Sequence, residues 1–270
     1  MGLFEDFDKV THQDWIDKIN TDLKGKDYQE TLVWNSKEGI DVEPFYNSAT
    51  KPTPVPLKKN NNWTIRETVV IQDIKEANLN ALFTLKGGAN SILFIGDIKS
   101  KSEMDVLLKD IQTELIEVHF YNATPKTIAE LIDLNQGSIS YDALSELDVA
   151  KLDEVAELTS SAASFNTITV KNSDNTSIIE GLAFSLSKGV EYLNLLTDKG
   201  IEASKIASKM QFNFDISTNY FFEIAKLRAA RKLWQLILEQ YQIQGVAMNI
   251  HAETSIESDS VEDENFEILR

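Results

Sequence analysis

The chain has 270 residues, no cysteine, three histidines and a formal net charge of −17. Disulfides, thiolate metal sites and cysteine nucleophiles are therefore excluded, and the negative field argues against nucleic acid and anionic membrane surfaces as partners. This length can bury a full core and fits one large domain preceded by an arm better than two equal domains.

Residues 1–62 read as a helix and an extended arm. The spacing of Trp15, Ile19 and Leu23 predicts a short helix over 11–24, with Gly25 just past its end. From Lys26 to Tyr46 no period is visible, only isolated large side chains, among them Trp34, Ile40, Phe45 and Tyr46. Pro44, Pro52, Pro54 and Pro56 stiffen a segment that closes with Lys58, Lys59 and three asparagines ahead of the large domain. Aromatic anchors on a chain without its own period need another surface to bury them. Either the large domain of this chain or a partner subunit supplies it, and Trp34, Ile40, Phe45 and Tyr46 are the candidate interface residues.

Residues 63–252 settle into an alternation of strands and helices. Short β-branched or aromatic runs stand at 68–71, 91–95, 116–121, 138–141, 166–170, 211–215 and 246–251. Helical patterns separate most of them, at 74–84, 102–108, 124–134, 149–163, 178–197, 202–209 and about 219–241. That rhythm predicts an α/β fold with a parallel sheet, either a (β/α) barrel or a doubly wound sheet. No Gly-x-Gly-x-x-Gly or Walker sequence follows the first strand, which weakens the nucleotide-binding readings. Residues 253–270 carry a run of acidic side chains, expected to form a solvated or disordered tail. No window holds eighteen apolar residues and no basic, then apolar, leader opens the chain, so a cytoplasmic protein is expected.

In the last helix Phe221, Ile224, Leu227, Trp234, Leu238 and Tyr241 are expected to share one buried stripe. Ser217, Thr218 or Asn219 is expected to cap its start. Arg228 and Arg231 flank the stripe, where they either snorkel to solvent or anchor another segment or an anionic ligand. His12, His119 and His251 are far apart in sequence and show no metal-ligand spacing. Asp142, Asp215 and His251 lie near strand ends, where an α/β enzyme would hold its chemistry.

The run Phe221-Phe-Glu-Ile-Ala-Lys-Leu-Arg-Ala-Ala-Arg-Lys-Leu-Trp234 resembles a segment of the cobalamin-dependent acyl-CoA mutases, above all the methylmalonyl-CoA mutase family. Asp22 to Tyr28, Leu32 to Trp34, Glu38 to Ile40 and Pro44 to Tyr46 resemble the family's leading segment, with weaker matches at Glu180 to Tyr192 and His251 to Ser255. The resemblance implies a TIM-type (β/α)8 barrel, incomplete here because seven strands are visible and the chain looks cut at Arg270. Trp63 to Arg66 matches as well, so Arg66 is expected either to touch a phosphate or to form an ion pair at the barrel bottom. Arg66, Arg228 and His251 are the weak substrate-contact candidates.

Catalytic members of that family carry a Gly-Tyr-His motif on the fifth strand, and the register puts Ile168, Thr169 and Val170 there. Their cobalamin domain carries an Asp-x-His-x-x-Gly motif, which this sequence lacks. The resemblance therefore implies a non-catalytic small subunit of a heterodimeric, adenosylcobalamin-dependent methylmalonyl-CoA mutase, inactive alone. Its partner, the large catalytic subunit, would hold the cofactor and convert (R)-methylmalonyl-CoA to succinyl-CoA. No catalytic, cofactor or metal residue is assigned to this chain, and acyl-CoA binding by it is not expected. Some of Phe94, Ile168, Val170 and Phe212 are expected to fill the barrel centre in place of a substrate channel. The alternatives are an acyl-CoA-binding enzyme, or an interaction module of a related mutase complex acting on isobutyryl-CoA or ethylmalonyl-CoA.

Overall fold

The computed structural model describes residues 10–46, 62–121, 136–140, 142–144, 149–161, 165–171 and 177–254. The chain divides into two compact units, Met1–Pro54 and Val55–Arg270.

In the first unit, helix α1 (His12–Asp22) starts at a reciprocal cap: Asp14 N–H donates to the Thr11 hydroxyl, and Thr11 N–H donates to the Asp14 carboxylate. The segment read as irregular contains helix α2 (Tyr28–Leu32) and an antiparallel pair, β1 (Trp34–Asn35) and β2 (Asp41–Val42). These elements are too short to show a period. Side chains fix them instead: Asp27 caps α2, and the Ser36 hydroxyl accepts from Ile40 N–H inside the hairpin.

The second unit alternates strand and helix. In chain order it holds β3 (Arg66–Val70), α3 (Ile74–Lys86), β4 (Ser91–Ile95), α4 (Lys101–Leu107), β5 (Glu117–Tyr121) and β6 (Gly137–Ser140). Next come α5 (Val149–Ser161), β7 (Ile168–Lys171), α6 (Ile178–Asp198), α7 (Ala203–Ser208), β8 (Met210–Ile216), α8 (Tyr220–Gln240) and β9 (Asn249–Thr254). The helix expected at 124–134 lies outside the described residues, as do Tyr141 and the acidic run after Thr254. The last strand starts three residues later than its pattern suggested and takes in Glu253 and Thr254.

All strand pairs in this unit are parallel and follow chain order: β3-β4-β5-β6 form one ladder and β7-β8-β9 another. A bridge between Ser138 and Asn166 joins the two. Sequential parallel order lacks the reversal of strand order found in a doubly wound sheet. The sheet is also strongly curved. The Arg66 guanidinium on β3 donates to Gln211 Oε1 on β8 at 3.5 Å, whereas five strand spacings in a flat sheet would separate them by about 24 Å. The described residues form no closed barrel, and β3 and β9 are free edges among them.

Strand alternation decides what each face carries. Ile92, Phe94, Val118, Phe120 and Ile139 pack beneath α3 and α4 in one core. Ile168, Val170, Met210, Phe212 and Phe214 pack beneath α6 and α8 in a second. The Phe212 ring meets Trp234 of α8 edge-on at 4.9 Å. This corrects the expectation for Phe94, Ile168, Val170 and Phe212: all four face the helices, and none fills the centre. The alternate residues, Ser91, His119, Ser138, Thr169, Gln211 and His251, share the concave face. That face is polar at the strand starts, with Leu93 and Ile95 farther along β4.

Helix α8 is also rotated from its expected stripe. Its buried residues are Glu223, Lys226, Ala230, Trp234 and Leu238, while Phe221 is 79% exposed and Ile224 is exposed. The cause is a polar lock at its first turn. Lys226 Nζ lies 2.5 Å from Glu223 Oε2 and donates to the Asp215 carbonyl at 2.6 Å, and the Ser217 hydroxyl donates to Glu223 Oε1 at 2.7 Å. Asn219 occupies the N-cap position without a side-chain bond, so Ser217 serves the lock rather than a cap.

Candidate functional site

Polar groups from distant strands meet at the N-terminal ends of the strands, around a cleft of about 560 Å³. Arg66, Glu117, His119, Gln211, Arg231 and His251 line it. Each comes to the cleft by register: Arg66 lies beside Ser91, Ser91 beside Glu117, and Gln211 beside Asn249. Arg231 enters from α8, where its guanidinium donates to the Leu227 carbonyl at 3.1 Å.

Arg66 is the hub. Its Nε donates to Ser91 Oγ at 3.2 Å, and its Nη2 lies 3.8 Å from Glu117 Oε2. Burial lowers its pKa to about 10, partly offset by Glu117 and Glu253, so it stays charged at neutral pH. Glu117 is held below the ordinary carboxylate range, first by its hydrogen bond with His119, with Thr64 and Arg66 helping. It accepts from the Thr64 hydroxyl at 2.9 Å. Since a carboxylate only accepts, the His119 proton sits on Nε2, which faces Glu117 at 3.3 Å. Nδ1 then accepts from the Ser138 hydroxyl at 2.7 Å. His119 is thus a satisfied, neutral core imidazole.

His251, on β9, faces the same cleft. Burial chiefly, with the nearby Arg66 charge and His119, lowers its pKa to about 4, and His119 is lowered to about 4 by burial as well. Both shifts carry a stability prediction. A histidine whose folded pKa is depressed contributes stability that is complete above the unfolded value of 6.5 and declines as pH falls from there toward 4. Glu117 adds a second loss only below its ordinary 4.5. Urea unfolding between pH 7 and 4 should show the first decline. Replacing both histidines by glutamine should flatten it between pH 6.5 and 5, and an unchanged slope would mean the imidazoles are solvated.

The cleft brings together two of the three weak substrate-contact candidates, Arg66 and His251. Arg228 is exposed on α8 outside the cleft lining, and its neighbour Arg231 takes the place proposed for it. Of the strand-end candidates, the carboxylate of Asp142 is held by Lys188 Nζ at 2.5 Å and by the Tyr192 hydroxyl at 2.9 Å. Asp215 lends its carbonyl to the Lys226 lock. On β7, Val170 packs in the helix-side core, and the concave position belongs to Thr169, whose hydroxyl donates to the Ile139 carbonyl at 3.0 Å. Trp34, Ile40, Phe45 and Tyr46 are all exposed in the first unit. Phe45 leans on Trp15 at 5.0 Å, and the Tyr46 hydroxyl accepts from Glu43 N–H.

Sequence reading missed Glu117, His119, Gln211 and Arg231 as a group. Glu117, His119 and Gln211 are polar residues toward the start of their strands, and Arg231 flanks the apolar stripe of α8; these signals are weak until the elements are placed side by side.

The sequence pattern of methylmalonyl-CoA mutase matches residues 135–270. The chain belongs to the methylmalonyl-CoA mutase family. It is 33% identical to the methylmalonyl-CoA mutase small subunit of Porphyromonas gingivalis, over 99% of this chain and 51% of that protein. The small subunit of Streptomyces virginiae is 25% identical, over 94% of this chain and 49% of its own length. The mitochondrial mutase of Homo sapiens is 23% identical, over 90% and 42% respectively. The chain spans about half the length of the curated relatives it matches. Among solved structures, a dihydropteroate synthase of Coxiella burnetii in complex with pteroic acid aligns with a TM-score of 0.44 at 9% identity, covering 82% of this chain and 78% of that one.

The mutase family is generally cobalamin-dependent, which raises the question of where the described residues could hold that group. Both ring nitrogens of His119 are engaged, His12 stacks on Trp15 at 6.0 Å in the first unit, and His251 stands in a cleft ringed by charged side chains. None offers an axial imidazole over a broad apolar floor. The described residues do not fit cobalamin, and no group of three or more potential metal-ligating side chains occurs among them. No helix among them is long and apolar enough to cross a membrane.

Proposed function

We propose that this chain is a non-catalytic subunit of a cytoplasmic, adenosylcobalamin-dependent mutase that interconverts (R)-methylmalonyl-CoA and succinyl-CoA. Its partner is the large catalytic subunit, which carries the cofactor, and its role is to pair with that subunit and stabilise it. The observation that carries this reading is on β7. Where Gly-Tyr-His of the family's catalytic members falls, this chain has Ile168, Thr169 and Val170: Val170, at the histidine's position, packs in the helix-side core, and the concave Thr169 hydroxyl is committed to the Ile139 carbonyl. The two small-subunit relatives support the same reading.

The fold is proposed to be part of a (β/α)8 barrel. A strand seated along the free edge of β3 and a helix against α3 would complete it, where Val70 and the 78% exposed Phe83 border a groove of about 380 Å³. The proposed domains are an arm over residues 1–62, the barrel over 63–252 and an acidic tail over 253–270.

A cobalamin titration followed by absorbance tests the assignment. The lone chain should take up none, and the complex should bind one per heterodimer, on the partner. Stoichiometric uptake by the lone chain would overturn it. The arm reading is tested separately with Trp34→Ala, which should weaken pairing by about 2 to 4 kcal/mol while changing the melting of the lone chain far less. Unchanged pairing with lost folding would show that the arm serves this chain alone.

One observation favours a second reading. The concave face is polar at the strand starts rather than plugged, and its mouth carries two guanidinium groups, Arg66 and Arg231. An acyl-CoA-binding chain of the same family would keep such a cleft. The cleft lining stops within the first few residues of the strands and reaches neither Val70, Ile95, Tyr121 nor Asp215, so it is not a channel through the sheet. Calorimetric titration of the lone chain with coenzyme A decides: no heat supports the subunit reading, and saturable binding that Arg66→Ala abolishes supports the second.

A further inference from the structure

We infer that the β6–β7 junction is a seam along which this domain opens, held shut by a polar latch of Asp142, Lys188 and Tyr192. Two observations define the seam. The strands form two separate ladders, β3 to β6 and β7 to β9. Among the described residues the buried apolar side chains likewise divide into two cores, one centred on each ladder, with Ala143 just past β6 packed in the second and Phe165 just before β7 in the first. Hydrophobic packing therefore holds each half together more strongly than it holds the halves to each other.

Polar contacts cross the junction among the described residues. Ile139 N–H donates to the Asn166 carbonyl at 2.9 Å, and Asn166 N–H donates to the Gly137 carbonyl at 3.0 Å. The Thr169 hydroxyl donates to the Ile139 carbonyl. Helix α5 spans both halves, with Leu152 and Val155 in the second core and Leu158 in the first.

The latch stands at the opposite end of the strands from the cleft. Asp142, just past β6, belongs to the first half, while Lys188 and Tyr192 stand one turn apart on α6 in the second. Lys188 Nζ reaches Asp142 Oδ2 at 2.5 Å, and Nζ also lies 3.5 Å from the Lys171 carbonyl at the end of β7. The Tyr192 hydroxyl donates to Asp142 Oδ1 at 2.9 Å and accepts from Leu144 N–H at 3.2 Å. The ion pair is largely shielded from water, with 9% and 13% of the two side chains exposed, so it is not a screened surface contact. Tyr192 itself is fully buried. One carboxylate thus ties the end of β6 to the helix that covers β7, and opening would expose the seam-side concave groups Ser138 and Thr169.

Amide hydrogen exchange on the 270-residue chain tests this. In the unmodified protein, the amides of Ile139 and Asn166 should exchange through an opening with a weaker urea dependence than those of Phe94 and Phe212, which lie inside the two ladders. Lys188→Met keeps the aliphatic stem and removes the cation. It should speed exchange at Ile139 and Asn166 about tenfold or more, leaving Phe94 and Phe212 within about twofold. Tyr192→Phe should give the same pattern at smaller size, and serves if the lysine variant does not fold. An equal rise at all four amides, no rise at any, or identical urea dependence in the unmodified chain would overturn the seam.

Discussion

Glu223→Ala is expected to lower folding stability by about 3 to 5 kcal/mol, more than an ordinary surface change on a helix. The Glu223 and Lys226 side chains are each 6% exposed, so most of the water that would otherwise solvate the cation is excluded. With Glu223 gone, Lys226 would keep only the Asp215 carbonyl at 2.6 Å, too little for a buried charge. Lys226→Met should cost a comparable amount, because Glu223 would then retain only the Ser217 hydroxyl. The double variant Glu223→Leu with Lys226→Met should recover most of either loss, since neither charge is left stranded. Urea unfolding of the four proteins measures the cycle. Lys18→Ala is the control: its pair with Asp22 is open to solvent and should contribute under about 0.5 kcal/mol. Losses below about 1 kcal/mol in both single variants would mean that the lock is hydrated and that α8 is oriented by packing alone.

The same pair shows what was legible in the sequence and what was not. Parallel strands alternating with helices were readable because the two periods differ and short polar stretches punctuate them. The direction in which a strand turns its residues was not readable. Phe94 and Phe212 are equally apolar whether they fill a barrel axis or lie under helices, and only register with Ser91, His119 and Gln211 separates the cases. In α8 the apolar period pointed to Phe221 and Ile224, yet Glu223 and Lys226 are buried. A charged pair three residues apart neutralises its own charge, with the Asp215 carbonyl and the Ser217 hydroxyl taking its hydrogen bonds, and that cancellation is invisible to any reading that counts hydrophobic side chains. The cleft was hidden for a related reason. Arg66 and Gln211 are 145 positions apart in the chain, and their meeting depends on curvature accumulated over several strands.

Gly137→Ala is expected to be the most damaging small change in the second unit, costing more than about 4 kcal/mol or preventing folding. Gly137 opens β6 with φ of +151°, a conformation that side chains rarely adopt. A Cβ built there would lie 1.8 Å from the Val118 carbonyl oxygen and 2.6 Å from the Phe165 ring. The first obstacle is backbone of the neighbouring strand, so it cannot swing aside. Relief requires β6 to move away from β5, which would part Ser138 from His119 and strip the Gly137 carbonyl from Asn166 N–H. Gly189→Ala is the instructive contrast. Its Cβ would meet only side chains, Trp234 and Phe212, at 3.0 to 3.1 Å. Overpacking of about 1 to 3 kcal/mol would be offset by about 1 kcal/mol of helix propensity. Circular dichroism and urea unfolding should therefore find Gly189→Ala folded and close to the parent, with Gly137→Ala unfolded or grossly destabilised. A well-folded Gly137→Ala protein would mean that β6 and β5 are not held in the register that builds the His119 site.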